Sequence, residues 1–216
     1  MAGPSINSFI VGVQNPKGGT GKTTIAINLA RVAQLEGFSS LLLDTDTQGS
    51  ARDWRARSPE NYDGPRVQPT TNPRTLKSDI ASYTEEYEFA VLDGSARLEE
   101  MTGAVVSISD VLLIPVQPSA LDLWGTVEFI ETVVEAHESD EVEAAFVASR
   151  RVVGTNLEKQ ISGALEDYGL EVLEGTGSRV AYPRSIQEGK TVLDGYDEKA
   201  ESEVRALFND IGRLVA

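Results

Sequence analysis

The chain has 216 residues, 40% hydrophobic and 25% charged, a balance that fits one folded domain with a sizeable core and excludes two large domains or a disordered chain. It holds no cysteine, which excludes disulfide scaffolds, thiolate metal sites, cysteine nucleophiles and cysteine-held iron–sulfur clusters; its one histidine, His137, argues against multi-histidine metal sites and a Ser-His-Asp triad. Acidic residues outnumber basic ones 34 to 19, a net charge of -15, and this Lys-poor surplus points either to a saline cytoplasm or simply to an acidic protein kept dispersed by its charge.

Met1 to Ser8 has no basic segment followed by an apolar one, and no run of about 18 apolar residues occurs, so a cytoplasmic protein without a membrane span is expected. So few residues ahead of the first strand also predict no DNA-reading module there. Phe9–Val13 is a continuous apolar run and predicts a strand buried on both faces. Thr23–Glu36 follows with helical spacing, then a second apolar run at Leu41–Leu43. Ser58–Arg74 differs: Pro59, Pro65, Pro69 and Pro73 stand among polar residues, which predicts a surface excursion with at most a short edge strand. The alternation then resumes with a helix at Leu76–Glu86, a strand at Phe89–Leu92, a helix at Glu99–Ser107 and a strand at Val111–Val116. A helix at Leu121–Glu138, a strand at Ala144–Ala148 and helices at Asn156–Tyr168 and Glu198–Val215 complete it. Repeated βαβ units predict a single α/β domain over 1–216, with a mostly parallel sheet flanked by helices on both faces. Ligands in that architecture gather at the carboxyl ends of the strands.

Between the first strand and first helix stands Asn15-Pro16-Lys17-Gly18-Gly19-Thr20-Gly21-Lys22-Thr23-Thr24, the position a phosphate-binding loop requires. Gly18, Gly19 and Gly21 let backbone N–H groups converge on phosphate oxygens, and the helix N-terminus adds its partial positive charge. Lys22 can reach the β- and γ-phosphates, and the Thr23 hydroxyl can ligate Mg²⁺. Position 16 is Pro where the common pattern has Gly, and Lys17 directly precedes the glycine pair. That second lysine resembles the deviant Walker A loop of the ParA/MinD family of P-loop ATPases. The resemblance implies a P-loop NTPase fold, ATP and Mg²⁺ as ligands, a homodimer formed with ATP, and a Lys17 that contacts the partner subunit's nucleotide.

Asp44-Thr45-Asp46-Thr47-Gln48-Gly49 follows the second apolar run and resembles the family's Asp-x-Asp-Pro-Gln-Gly segment, with Thr47 in place of Pro. By that match Asp46 orients the attacking water and Asp44 supports the Mg²⁺ shell; the alternative is that one or both cap the next helix. An Asp ionised at neutral pH is a weak base, so slow turnover is expected. Phe89-Ala90-Val91-Leu92-Asp93 has the form of a Walker B strand, with Asp93 the candidate for holding Mg²⁺, and its Asp93-Gly94 step looks like the small plasmid-partition ATPases.

Leu113–Asp122 resembles the family segment near the nucleotide and the dimer seam. Arg179–Arg184 resembles its late loop around the adenine, where Tyr182 and Pro183 could sandwich the base. An ATP-dependent partition or cargo-positioning ATPase follows from the resemblance, with an adaptor or stimulating partner protein and non-specific DNA as the matrix. Arg150, Arg151, Arg179 and Arg184 are the DNA candidates, although no basic patch stands out; association with the nucleoid would follow. The apolar stripe of Val204, Leu207, Phe208, Ile211 and Leu214 is bordered by acids and predicts a core-packing helix, not a membrane anchor. The rivals are a metabolic P-loop enzyme resembling dethiobiotin synthetase and a nucleotide-switched regulator that does not hydrolyse.

Overall fold

The computed structural model describes residues 8–83, 86–96, 99–118, 126–139, 141–152 and 163–216. Seven parallel strands form one sheet in the order β3-β2-β4-β1-β5-β6-β7. In chain order they are β1 (Phe9–Val13), β2 (Ser40–Asp44), β3 (Arg66–Pro69), β4 (Phe89–Asp93), β5 (Val111–Val116), β6 (Glu143–Ala148) and β7 (Glu171–Leu173). The intervening helices are α1 (Lys22–Leu35), α2 (Ser50–Arg57), α3 (Leu76–Tyr83), α4 (Glu99–Ile108), α5 (Val127–Glu138), α6 (Ala181–Gln187) and α7 (Glu198–Leu214).

Side chains alternate across the sheet, so each central strand feeds two cores. Val11, Leu42, Val91 and Leu113 pack with Ile25 and Leu29 of α1 and with Val204, Leu207 and Ile211 of α7. Ile10, Leu43, Leu92 and Ile114 pack on the opposite face with Ile80 of α3, Val105 of α4 and Ile130 of α5. The stripe on α7 is therefore a core stripe, as its sequence predicts, and Asp197 caps the helix by accepting from the N–H groups of Lys199 and Ala200. Among the described residues no helix is long and apolar enough to cross a membrane.

The predicted central strands agree with the structure to within a residue. The Pro-rich excursion contains only the edge strand β3, ending at Pro69, where a missing N–H costs the ladder nothing. Three elements escape sequence reading. β7 has three residues; α2 buries only Ala51 and Trp54; α6 has Pro183 in its first turn, where helices tolerate it. The segment read as a late loop is thus helical from Ala181 onward. The expected helix at Asn156–Tyr168 falls largely outside the described residues, as does the start of that at Leu121–Glu138.

β1 lies between β4 and β5, so the chain runs to one side of β1 first and to the other later. This reversal opens a crevice at the carboxyl end of β1. Gly12 leaves room beside β1 for the turn that leads from α4 into β5: a Cβ would lie 2.3 Å from Ser109 Oγ and 2.9 Å from Leu112 Cδ1. Gly12→Ala is expected to cost about 1–3 kcal/mol in chemical denaturation. Adding Ser109→Ala should recover part of the loss, and strictly additive effects would refute the contact.

Candidate functional site

The loop after β1 is braced by two buried polar side chains. Asn15 donates from Nδ2 to the Pro115 carbonyl (2.9 Å) and accepts the Lys17 N–H on Oδ1 (2.8 Å). Gln14 Nε2 donates to the Ser95 carbonyl at 3.0 Å, which ties the loop to the end of β4. Gly19 and Gly21 have φ of 82° and 99°, backbone that glycine adopts without strain. Gly21 is also the N-cap of α1 and offers no side chain to the first helical N–H groups, which leaves them for an anion.

Lys22 opens α1 and is 7% exposed; its Nζ donates to the Lys17 carbonyl at 2.9 Å. Burial lowers its pKa, opposed by the negative charges of Asp93 and Asp46. Lys17 is half-buried, beside the exposed Gly18 and Gly19. Gln117 reaches over from beyond β5 and donates to the Gly19 carbonyl at 2.5 Å.

The parallel register sets Asp93 against both Val13 and Asp44, so the two carboxylates stand at the mouth of the same crevice. Their environments differ. Asp44 is fully buried and engaged: Oδ1 accepts the Asp46 N–H at 3.1 Å, while Oδ2 accepts the Arg52 N–H at 3.1 Å and Arg52 Nε at 3.2 Å. It therefore accepts one first-turn N–H of α2, whose N-cap is Gly49. Asp93 is 1% exposed and neither oxygen finds a hydrogen-bond partner at normal geometry. Burial pushes its pKa up to about 7; the nearby Thr23 hydroxyl and Lys22 ammonium pull it down, and Asp44 and Asp46 push it further up. Asp46 is half-buried on the following turn, where it accepts the Gln48 N–H at 2.8 Å.

A cleft of about 430 Å³ runs from Gly21 and Thr24 to Ser149, Thr176, Arg179, Tyr182 and Pro183. The structure thus brings Tyr182 and Pro183 beside the loop, but Tyr182 is a buried wall. Its Oη is turned into the protein, donating to Glu203 Oε2 at 2.9 Å. Three of the four candidate arginines are paired: Arg151 with Glu174 (3.3 Å), Arg179 with Glu203 (2.8 Å) and Arg184 with Glu188 (3.2 Å). Arg150 is exposed, with φ of 54°.

Sequence reasoning missed Gln14, Asn15, Arg52, Gln117 and Ser149. Two amides at the end of a fully apolar strand are a readable signal, since buried amides need partners; Arg52 and Ser149 carry none.

Among the described residues no group of three or more His, Asp or Glu could hold a metal by itself. The unpartnered Asp93 oxygens beside Thr23 nevertheless fit a divalent cation that completes its shell from phosphate and water. In metal-free protein the folded state holds the Asp93 proton more tightly than the unfolded chain, so this group's contribution to stability falls as pH rises from about 4 to 7. Asp93→Asn should therefore exceed wild type above pH 7 by up to about 4 kcal/mol in urea denaturation with EDTA, and the gap should close toward pH 4. A gap independent of pH would refute the burial account.

A family model described as the CobQ/CobB/MinD/ParA nucleotide binding domain matches residues 11–192. The chain is 30% identical over 211 residues to maintenance of carboxysome distribution protein A from Gloeobacter kilaueensis, covering 94% of each chain. It is 27% identical over 212 residues to the protein of the same name from Halothiobacillus neapolitanus, covering 96% of this chain and 98% of that one. The fold is similar to that of the septum site-determining protein MinD complexed with Mg-ADP from Pyrococcus horikoshii, with TM-score 0.76 and 17% identity over 97% of this chain and 98% of that one. The family match takes in the loop, both strand-end carboxylates and the cleft, and the chain belongs to the CobQ/CobB/MinD/ParA nucleotide-binding family.

Proposed function

We propose that the chain is an ATP-switched ATPase that positions a cargo, pairing with a second copy of itself around bound nucleotide. The observation that carries this reading is a buried Lys22 beside an unpartnered Asp93, with a second lysine, Lys17, next to the exposed tip of the same loop. Gly18, Gly19, Thr20 and Gly21 present backbone N–H groups to the phosphates, Lys22 reaches the β- and γ-phosphates, and Thr24 lines the cleft toward the nucleoside. Thr23 and Asp93 would hold Mg²⁺, with Asp44 fixing the Asp46 turn from behind. Bound magnesium would neutralise part of the charge that develops on the triphosphate. Asp46, half-buried on the turn beyond β2, orients the attacking water, and slow turnover is expected.

Lys17 serves the partner subunit's nucleotide. Two facing copies each leave triphosphate charge uncompensated at the seam, and a donated cation ties association to ATP. The relatives named for carboxysome distribution support a protein assembly as the cargo; plasmid DNA is the alternative cargo, and an adaptor protein would stimulate hydrolysis. Non-specific DNA is the proposed matrix, and nucleoid association in the cytoplasm follows from it.

Lys22→Ala is expected to lose ATP binding in calorimetry. Asp46→Ala should keep ATP affinity while turnover drops about 10²–10⁴-fold. Lys17→Ala should bind ATP yet stay monomeric in light scattering; a normal ATP-dependent dimer would sink the trans-lysine role and favour a metabolic enzyme on the same loop. Anisotropy of a random DNA duplex, with ADP and with Mg-ATP across a salt series, tests the matrix: binding should require ATP and weaken with salt.

A further inference from the structure

Glu203 lies on α7, behind the cleft, and is not among the residues that line it. Its carboxylate nevertheless gathers four donors from that lining. Gly177 N–H and Tyr182 Oη donate to Oε2, both at 2.9 Å; Arg179 donates to Oε1 from Nε at 2.9 Å and from Nη2 at 2.8 Å. The Glu203 side chain is 12% exposed, so these charge-assisted bonds form largely out of water. Gly177 makes the approach possible: a Cβ there would stand 2.8 Å from Oε1.

The helix that carries Glu203 is itself fixed. Its Arg205 pairs with Glu36 at the end of α1 (2.7 Å), and its Arg213 pairs with Glu171 of β7 (2.6 Å). Tyr182 Oη also reaches the Ala200 carbonyl at 3.3 Å, one turn earlier on the same helix. Burial works against the Glu203 charge, yet the Arg179, Gly177 and Tyr182 donors outweigh it and hold the carboxyl below its ordinary range.

We propose that Glu203 is a positioning residue that fixes one wall of the cleft and thereby sets affinity for the nucleoside half of the nucleotide, leaving the phosphate half to the loop. This rests on the reading that the cleft beside Gly21 and Thr24 takes the nucleoside. The two halves are separable because none of the hydrogen bonds to Glu203 comes from the residues 17–23 that serve the phosphates. The arrangement also makes Arg179 an internal brace, held by a carboxylate that a DNA phosphate would have to displace.

The test is calorimetric binding of Mg-ATP and of Mg-tripolyphosphate, which lacks a nucleoside, to wild type, Glu203→Ala, Glu203→Gln and Tyr182→Phe. Wild type should bind ATP more tightly than tripolyphosphate. Glu203→Ala should weaken ATP about tenfold, with Glu203→Gln and Tyr182→Phe losing less, while tripolyphosphate stays within about twofold throughout. The milder variants keep most of the network and guard against simple misfolding. Parallel losses for both ligands, or none for either, would overturn the positioning role while leaving the cleft reading standing. Equal affinity of wild type for the two ligands would overturn the cleft reading and the proposal with it.

Discussion

Asp93 keeps two unpartnered carboxylate oxygens in the protein interior because β4 runs parallel between β1 and β2, with Val13, Asp93 and Asp44 in register. That register puts the end of β4 beside the start of α1, where Lys22 is buried. Each charge is strained by desolvation, and each partly relieves the other. Most of the surrounding detail keeps this pair from collapsing. Asn15 and Gln14 hold the loop open, Gly94 fits under Gln14 where a Cβ would lie 2.0 Å from Oε1, and Arg52 occupies Asp44. A site poised in this way has lost solvation that a bound, charged ligand can replace.

Legibility in the sequence follows burial. β1, β2, β4, β5 and β6 are covered on both faces, so their residues read as unbroken apolar runs. β3 has one neighbour and no fully buried residue, and nothing in Arg66-Val67-Gln68-Pro69 declares a strand beyond its lone valine. β7 is shorter still. The phosphate loop was readable because backbone approach demands glycines at fixed spacing, and a demand on the backbone leaves a pattern in the chain. Side-chain pairs leave none. Asp44 meets Arg52 across a turn and the start of a helix, and Glu203 meets Arg179 from 24 residues away; only the fold brings them together. The sequence therefore shows the proposed phosphate site more clearly than the proposed nucleoside cleft.

The same contrast bears on the charge. Arg151, Arg179, Arg184, Arg205 and Arg213 each meet a carboxylate, so much of the small basic complement is spent inside the molecule. A chain of net charge -15 built this way repels both a second copy and a DNA phosphate at long range. Salt acts on the two encounters with opposite signs. It screens the repulsion between copies beyond a Debye length of about 8–10 Å and so favours the pairing proposed for this chain. It also weakens every Lys or Arg contact with a phosphate backbone, steeply when several are needed. A dimer that forms readily in salt while holding DNA through few ions would release its matrix easily. In the proposed cycle that combination suits release after each turnover, with the nucleotide, not the surface charge, deciding when the molecule is bound.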